Sequence, residues 1–397
     1  MPVTALQPER RRLRVGYMPL IDAAPLLWAR HRGYFADMGL DVELIPEVSW
    51  ASLRDRLAYG ALDAAQCLAP MPLAATLGID GVGVPMLSAL GLSRGGSGVT
   101  LGRAFARRLG VESGTPPLDT ARAICRHAAR GEPVCLGHVF AFSMHHYLMR
   151  YWLRLGGSEA AETIHFRVAP PPQMVRLLEA GAVDGFCAGE PWNTVALRGG
   201  LGMPVVATHD IWAGGPEKVL GVTRDWAETH PQAHRALVAA LLRAQKDFAE
   251  GVVATDSLAA LFRDAGALDL PQEWIAAALT GEAVEAPRFF PENAGLRPSQ
   301  MLWCLMQMLL TAQCQEAVDP QVVKAVCDTV CFLDAAAAAG LSLPTPAARA
   351  EGGDSVEAGD PSRFLAGPVL SPEDPVGYLV AHGMPEARAR ALILRRG

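Results

Sequence analysis

One feature constrains this chain most: an alternation of strands and helices that runs twice and then stops. The first run gives strand 13–18, helix 25–32 closed by Gly33, strand 42–45, helix 49–59 with Ser49 as its cap, strand 64–68, a helix from Pro72, and strands 82–90 and 98–101. Alternation of this kind builds a mostly parallel sheet with helices on its faces. The pattern restarts with helix 118–129, strand 134–140, a helix from Ser143, strand 163–168, helix 172–180, strand 184–188, a helix after GEPWN, and strands 203–207 and 219–222. Beyond Thr223 only amphipathic helical stretches follow, at 231–250, 257–264, 272–279, 298–313 and 321–333. They must pack on something already formed, most simply the first unit.

Two units are also what 397 residues predict. A chain that is 50% hydrophobic and 19% charged can bury a large core. The net charge of −6 argues against direct nucleic-acid binding, which needs a basic face. It leaves room for a small anion, because a buried site is set by local donors. No apolar run reaches membrane-spanning length. Arg10–Arg12 are followed by Arg14, Asp22 and prolines, so the opening reads as a first strand rather than a secretory leader, and a cytoplasmic location with no membrane association is expected. The eight cysteines are scattered without a C-x-x-C pair and read as buried free thiols. Cys327 and Cys331 share one face of the predicted 321–333 helix, which is weak support for a metal. The Pro/Gly/Ala-rich run 344–362 lacks apolar anchors and reads as a mobile loop. Residues 385–396 read as a basic helix.

The stretch AFSMHHYLMRYWL, residues 141–153, carries the first functional signal. Ser143 is a natural helix cap. First-turn N–H groups lack intrahelical partners and the macrodipole makes that end positive, so His145 can add a donor to an anion site. His145 and His146 also fit packing histidines at a helix start. Taken alone, Trp50 reads as a core aromatic and Lys218 as a solvated lysine paired with Glu217.

Several blocks together resemble the nitrate-binding branch of the type II substrate-binding proteins of ABC transporters: GYMPLIDAAPLLWARHRGYFADMGLDVEL, SWASLRDRLAYGALDAAQCLAPMPLAATLG, SMHHYLMRYWL, APPPQMVRLLEAGAVDGFCAGEPWN and PEKVLGVT, with SPEDPVGYL near the end. That branch includes the NasS-type cytoplasmic nitrate/nitrite sensors. The resemblance implies a bilobed α/β periplasmic-binding-protein fold with two mixed, mostly parallel sheets flanked by helices and a helical C-terminal third. It implies a tail at 1–13, lobe I from 14–101 plus 222–397, lobe II from 102–221, and a ligand cleft between the lobes.

By position in the matching blocks, the resemblance makes Trp50, His145 and Lys218 the main ligand residues. His146 is left to packing. Pro171, in the triple proline 170–172, and Glu190 are expected in the cleft wall. Ser97 stands where the family carries an amide side chain, so this chain departs from the family pattern there. Nitrate presents three acceptor oxygens, and it needs donors at its rim and no nearby carboxylate. The ligand expected is nitrate or nitrite, and the protein partner is a NasT-like ANTAR antiterminator, held without ligand and released by anion binding. Lys218→Ala is expected to abolish nitrate binding while leaving that complex intact. The alternative is the binding component of an ABC transporter. An enzyme on the same fold, such as a thiamine-pyrimidine synthase, would need catalytic groups gathered in the cleft. No metal-spaced cluster, Gly-rich phosphate loop or Ser/His/Asp set is legible, so no enzyme activity, cofactor or metal is expected.

Overall fold

The computed structural model describes residues 7–351 and 363–394. Ten strands form two five-stranded sheets. They are β1 (Arg12–Tyr17), β2 (Asp41–Pro46), β3 (Ala64–Leu68), β4 (Met86–Arg94), β5 (Ser97–Gly102), β6 (Cys135–His138), β7 (His165–Val168), β8 (Gly185–Gly189), β9 (Gly202–Ala207) and β10 (Pro216–Thr223). The first sheet has the order β2-β1-β3-β10-β4 and the second β7-β6-β8-β5-β9. In each, the strands joined by helices run parallel, and the strand that crosses from the other half runs antiparallel: β10 against β3 and β4, β5 against β8 and β9. β3 and β8 are buried along their whole length, as central strands covered on both faces must be.

The crossovers do not fall where the lobe boundaries were expected. β5 was assigned to lobe I but pairs only within the second sheet, and β10, with Lys218, was assigned to lobe II but pairs within the first. The chain therefore changes sheets between Arg94 and Ser97, and again between Ala207 and Pro216. Gly95 and Gly96 make the first crossing with φ of 63° and 73°. A Cβ on Gly96 would stand 2.6 Å from Pro287, so backbone conformation and close approach both require glycine there. β4 begins at Met86 rather than 82, because Asp80 Oδ1 already accepts the N–H groups of Val82 and Gly83 in a turn.

One core lies over the first sheet, where Leu13, Val15 and Leu220 meet the helices Ala24–His31, Pro231–Ala249 and Thr329–Ala338. A second joins the other sheet to much of the C-terminal third. This corrects the expectation that the late helices pack on the first unit alone. The helix Pro298–Leu310 is buried on nearly every side. Its Trp303 meets Trp212 at 4.9 Å and Tyr151 at 6.0 Å between ring centroids. Phe364 stacks on Trp212 at 4.6 Å, and Tyr151 donates to the carbonyl of Ala366 at 2.6 Å. Trp212 and Tyr151 belong to the second half, so the C-terminal third bridges both lobes.

The run expected to be a mobile loop has an anchor inside it. Glu351 is fully buried and pairs with Leu370 through two main-chain bonds. Residues 352–362 of that run, and the end of the predicted 385–396 helix, lie outside the described residues. The predicted 321–333 helix is two helices, Val322–Val326 and Thr329–Ala338. Cys327 between them is extended, bridged to Ser88 of β4, so Cys327 and Cys331 share no helix face.

Candidate ligand site between the sheets

Two helix starts are aimed at the seam between the sheets. Ser49 Oγ accepts from Ser52 N–H at 3.1 Å and begins Trp50–Ala58, putting Trp50 in its first position. Ser143 Oγ accepts from His146 N–H at 3.1 Å and begins Met144–Gly156, putting His145 in its first turn. Both serines act as the caps their spacing predicts.

Across the seam runs a continuous polar chain. Met18 N–H donates to Gln66 Oε1 at 3.0 Å, and Gln66 Nε2 donates to Asp22 Oδ1 at 2.6 Å. Asp22 Oδ2 lies 2.8 Å from Lys218 Nζ, which also donates to Glu217 Oε1 at 3.2 Å. Glu217 Oε1 is 3.3 Å from His145 Nε2, and that nitrogen is 3.1 Å from Ser97 Oγ. Gln66, Asp22, Glu217 and Lys218 belong to the first lobe, His145 and Ser97 to the second. All six side chains are buried. Trp50 stands beside them, its ring centroid 5.7 Å from Lys218 Nζ.

The structure therefore brings Trp50, Ser97, His145 and Lys218 into one cluster. It also brings two carboxylates against Lys218, where the sequence reading wanted none. Neighbouring strand residues normally point to opposite faces. β10 breaks that rule, because its register against β4 shifts on either side of Lys218, and such irregularities re-aim side chains. Glu217 and Lys218 reach the same site in consequence.

Burial pushes His145 well below its ordinary pKa, with Lys218 adding to the effect, so it is neutral at physiological pH. Burial pushes Lys218 down too, but Asp22 and Glu217 more than offset it and its ammonium persists. Glu217 is raised by burial against the pull of Lys218. Two ring nitrogens in the cluster, Trp50 Nε1 and His145 Nδ1, are buried with no hydrogen-bond partner. The indole nitrogens of Trp192, Trp212, Trp226 and Trp303 are buried without a partner as well, so what sets Trp50 and His145 apart is their place beside Lys218.

Pro171 and Glu190 sit differently. Pro171 is buried in the first turn of Pro171–Glu179, a helix packed on β6 and β8. Its contacts there do not put it in the Lys218 chain. Glu190 touches the seam through its main chain: its N–H donates to Gly96 O and its carbonyl accepts from Ile21 N–H. Its side chain turns away and accepts from Thr194 N–H at 3.1 Å. His146 packs between His138, at 4.4 Å, and Phe166, at 5.6 Å, as a packing histidine would.

Burial raises Glu190 to about 8. The folded state thus holds its proton more tightly than the unfolded chain, so its contribution is complete below about pH 4.5 and is lost as pH rises to about 8. Stability is expected to fall across that window by at most about 1.4 kcal/mol per pH unit from this group. Glu190→Gln should flatten the fall; urea denaturation at pH 5 and pH 8.5 checks it, and an unchanged pH slope would show that Glu190 is not the group responsible.

Two lobes built on mixed sheets, exchanging one strand each and closing over a buried polar seam, define the bilobed periplasmic-binding-protein fold. The periplasmic nitrate-binding protein NrtA from Synechocystis PCC 6803 has this fold, with a TM-score of 0.83 at 26% identity over 95% of this chain and 100% of that one. The chain belongs to the NMT1-like family, whose model matches residues 6–260. The nitrate/nitrite binding protein NrtA of Synechococcus elongatus is 30% identical over 394 residues, covering 94% of this chain and 86% of that protein. The bicarbonate transport ATP-binding protein CmpC of the same species is 35% identical over 381 residues, 94% of this chain, but the chain spans only 55% of its length.

Asp22, Gln66 and Glu217 were not foreseen as site residues. Gln66 gave no local signal. Glu217 was visible as a neighbour of Lys218, but as the partner of a solvated lysine, and both are buried.

Proposed function

We propose that this chain binds nitrate or nitrite at the Lys218 seam and that lobe closure reports occupancy. The observation that carries the reading is the buried seam itself. It spans both lobes, holds one persistent ammonium, and leaves the Trp50 indole N–H, a donor only, without an acceptor. A small planar anion supplies that acceptor and takes a further N–H from Lys218. The NrtA relatives, named for nitrate binding, support the same ligand.

A four-atom ligand at about −1.5 kcal/mol per heavy atom gains roughly −6 kcal/mol, which sets a dissociation constant of tens of micromolar. Trp50→Phe tests the site cleanly. It deletes an N–H that is unsatisfied in the free protein, so folding should be unharmed. It should weaken nitrate by about 10- to 100-fold, the worth of one hydrogen bond to a charged group. Calorimetry with nitrate, nitrite, bicarbonate and a sulfonate reads both points. Heat with neither nitrate nor nitrite, or equal affinity in Trp50→Phe, would overturn the reading.

As the finer form of the proposal, the chain acts in the cytoplasm as a sensor that holds a NasT-like ANTAR antiterminator and releases it on anion binding. A partner that prefers one lobe geometry is enough to couple the two events. The acidic chain fits a role of holding an RNA-binding protein without touching RNA. The second reading, a transporter's binding component, is favoured by the relatives named above, which are transport and binding proteins. Size-exclusion chromatography with the antiterminator separates them: a complex that nitrate dissolves supports the sensor, and no complex supports the transporter.

A further inference from the structure

Where the predicted 321–333 helix breaks, three side chains far apart in sequence converge. His234 lies in the first turns of Pro231–Ala249, Asp328 is the cap of Thr329–Ala338, and Cys331 is in that helix's first turn. One potential ligand atom from each lies within 4.8 Å of the others. Cys331 Sγ is 3.5 Å from His234 Nδ1, and Asp328 Oδ2 is 3.9 Å from the same nitrogen. Asp328 divides its carboxylate: Oδ1 accepts from Cys331 N–H at 3.0 Å, as a cap, and Oδ2 is turned to His234.

The spacing can be compared with a metal's requirement. Zn–S of about 2.3 Å and Zn–N of about 2.0 Å at a tetrahedral angle hold sulfur and nitrogen about 3.5 Å apart. The Cys331–His234 distance of 3.5 Å meets this as it stands, and Asp328 Oδ2 must close from 3.9 Å to about 3.3 Å from His234 Nδ1. Thiolate, imidazole and carboxylate together suit a zinc-type ion; calcium and magnesium take oxygen ligands instead.

Metal-free, Cys331 Sγ and His234 Nδ1 are within hydrogen-bonding distance of one another, while Asp328 Oδ2, 3.9 Å from that nitrogen, is not. Arg235 is paired with Asp334 at 2.6 Å, which blunts its repulsion of a cation.

We propose that His234, Asp328 and Cys331 bind one zinc-type divalent ion, with the fourth position facing solvent. Access is provided by Asp328, whose side chain is 27% exposed. On binding, Cys331 loses its proton to solvent and the ion bonds to the thiolate. The ion then fastens the Pro231–Ala249 helix to the start of Thr329–Ala338, two late helices that both pack over the first sheet. The site is separate from the Lys218 seam and does not rest on the anion reading.

The test uses the full chain, stripped with a chelator and titrated with cobalt and zinc. Cobalt should bind with one equivalent, give a thiolate-to-cobalt charge-transfer band, and quench Trp226, whose ring lies 6.1 Å from that of His234. Cys331→Ser should abolish the band and weaken zinc by more than about 100-fold, beyond the cost of removing an outer-shell partner. Asp328→Asn keeps the cap and should weaken zinc while leaving the circular dichroism unchanged. Absence of stoichiometric cobalt binding, a band undiminished in Cys331→Ser, or zinc affinity unchanged in Asp328→Asn would each overturn the site.

Discussion

Lys218→Met is expected to destabilise the protein by about 3–5 kcal/mol, the usual cost of leaving one half of a buried ion pair without its partner. Lys218 is fully buried between Asp22 Oδ2 at 2.8 Å and Glu217 Oε1 at 3.2 Å. Deleting its ammonium leaves two carboxylates facing each other away from water. Asp22→Asn in the same chain should recover more than half of the loss. The asparagine oxygen can still accept from Gln66 Nε2, and Glu217 no longer faces a second carboxylate. Urea denaturation of the two singles and the double closes the cycle; a single-variant loss below about 1 kcal/mol would mean Lys218 does not neutralise the seam. The same pair separates folding from binding. Lys218→Ala, read from sequence as a clean binding knockout, is expected to lose its fold as well, so the folded double variant is the proper probe of nitrate affinity.

Arg297→Met is expected to cost a similar amount, about 3–5 kcal/mol. Its guanidinium reaches Glu351 through Nε at 3.1 Å and Nη2 at 2.8 and 3.1 Å, while Ser299 Oγ donates to the same carboxylate at 2.9 Å. Glu351 is fully buried, and its main chain holds Leu370 by reciprocal bonds. Losing Arg297 therefore undocks a strand-like bridge as well as an ion pair. Arg297→Lys keeps the charge but not the two-pronged geometry and should fall between. Hydrogen exchange at the Leu370 amide reads the local effect directly. Wild-type protection there in Arg297→Met would show that the bridge stands without the pair.

The strands and most helices were legible because their apolar periods are strong. What escaped was membership. Nothing local says which sheet residues 97–102 will join, since the choice rests on partners about ninety residues away, such as Gly189 opposite Ser97. The segment PSQMLWCLMQMLL did carry a signal that was underread. A helix apolar on every side is sandwiched, and this one lies between the lobes instead of on one of them. Asp328 is a good cap residue, and giving it weight would have divided the 321–333 helix. In the candidate site, Trp50, His145 and Lys218 were reachable from their blocks. Asp22 and Gln66 were not, because their meeting depends on tertiary folding. Glu217 depends on an irregularity in β10 that leaves no mark in composition. The His234, Asp328 and Cys331 cluster has no spacing motif, as its members lie up to 97 positions apart.

The aromatic nest of Trp212, Trp303, Phe364 and Tyr151 has a mechanical consequence. Tyr151 lies on the same helix as His145, and its hydroxyl is bound to the Ala366 carbonyl. Swinging His145 away from Lys218 would drag Tyr151 and Trp212 off rings that are stacked or tilted within about 6 Å. Close-packed rings do not slide by degrees; they unseat and reseat. Opening the seam therefore requires unseating this nest as a unit instead of sliding it. The late helix Pro298–Leu310 is thereby tied mechanically to the helix that carries His145.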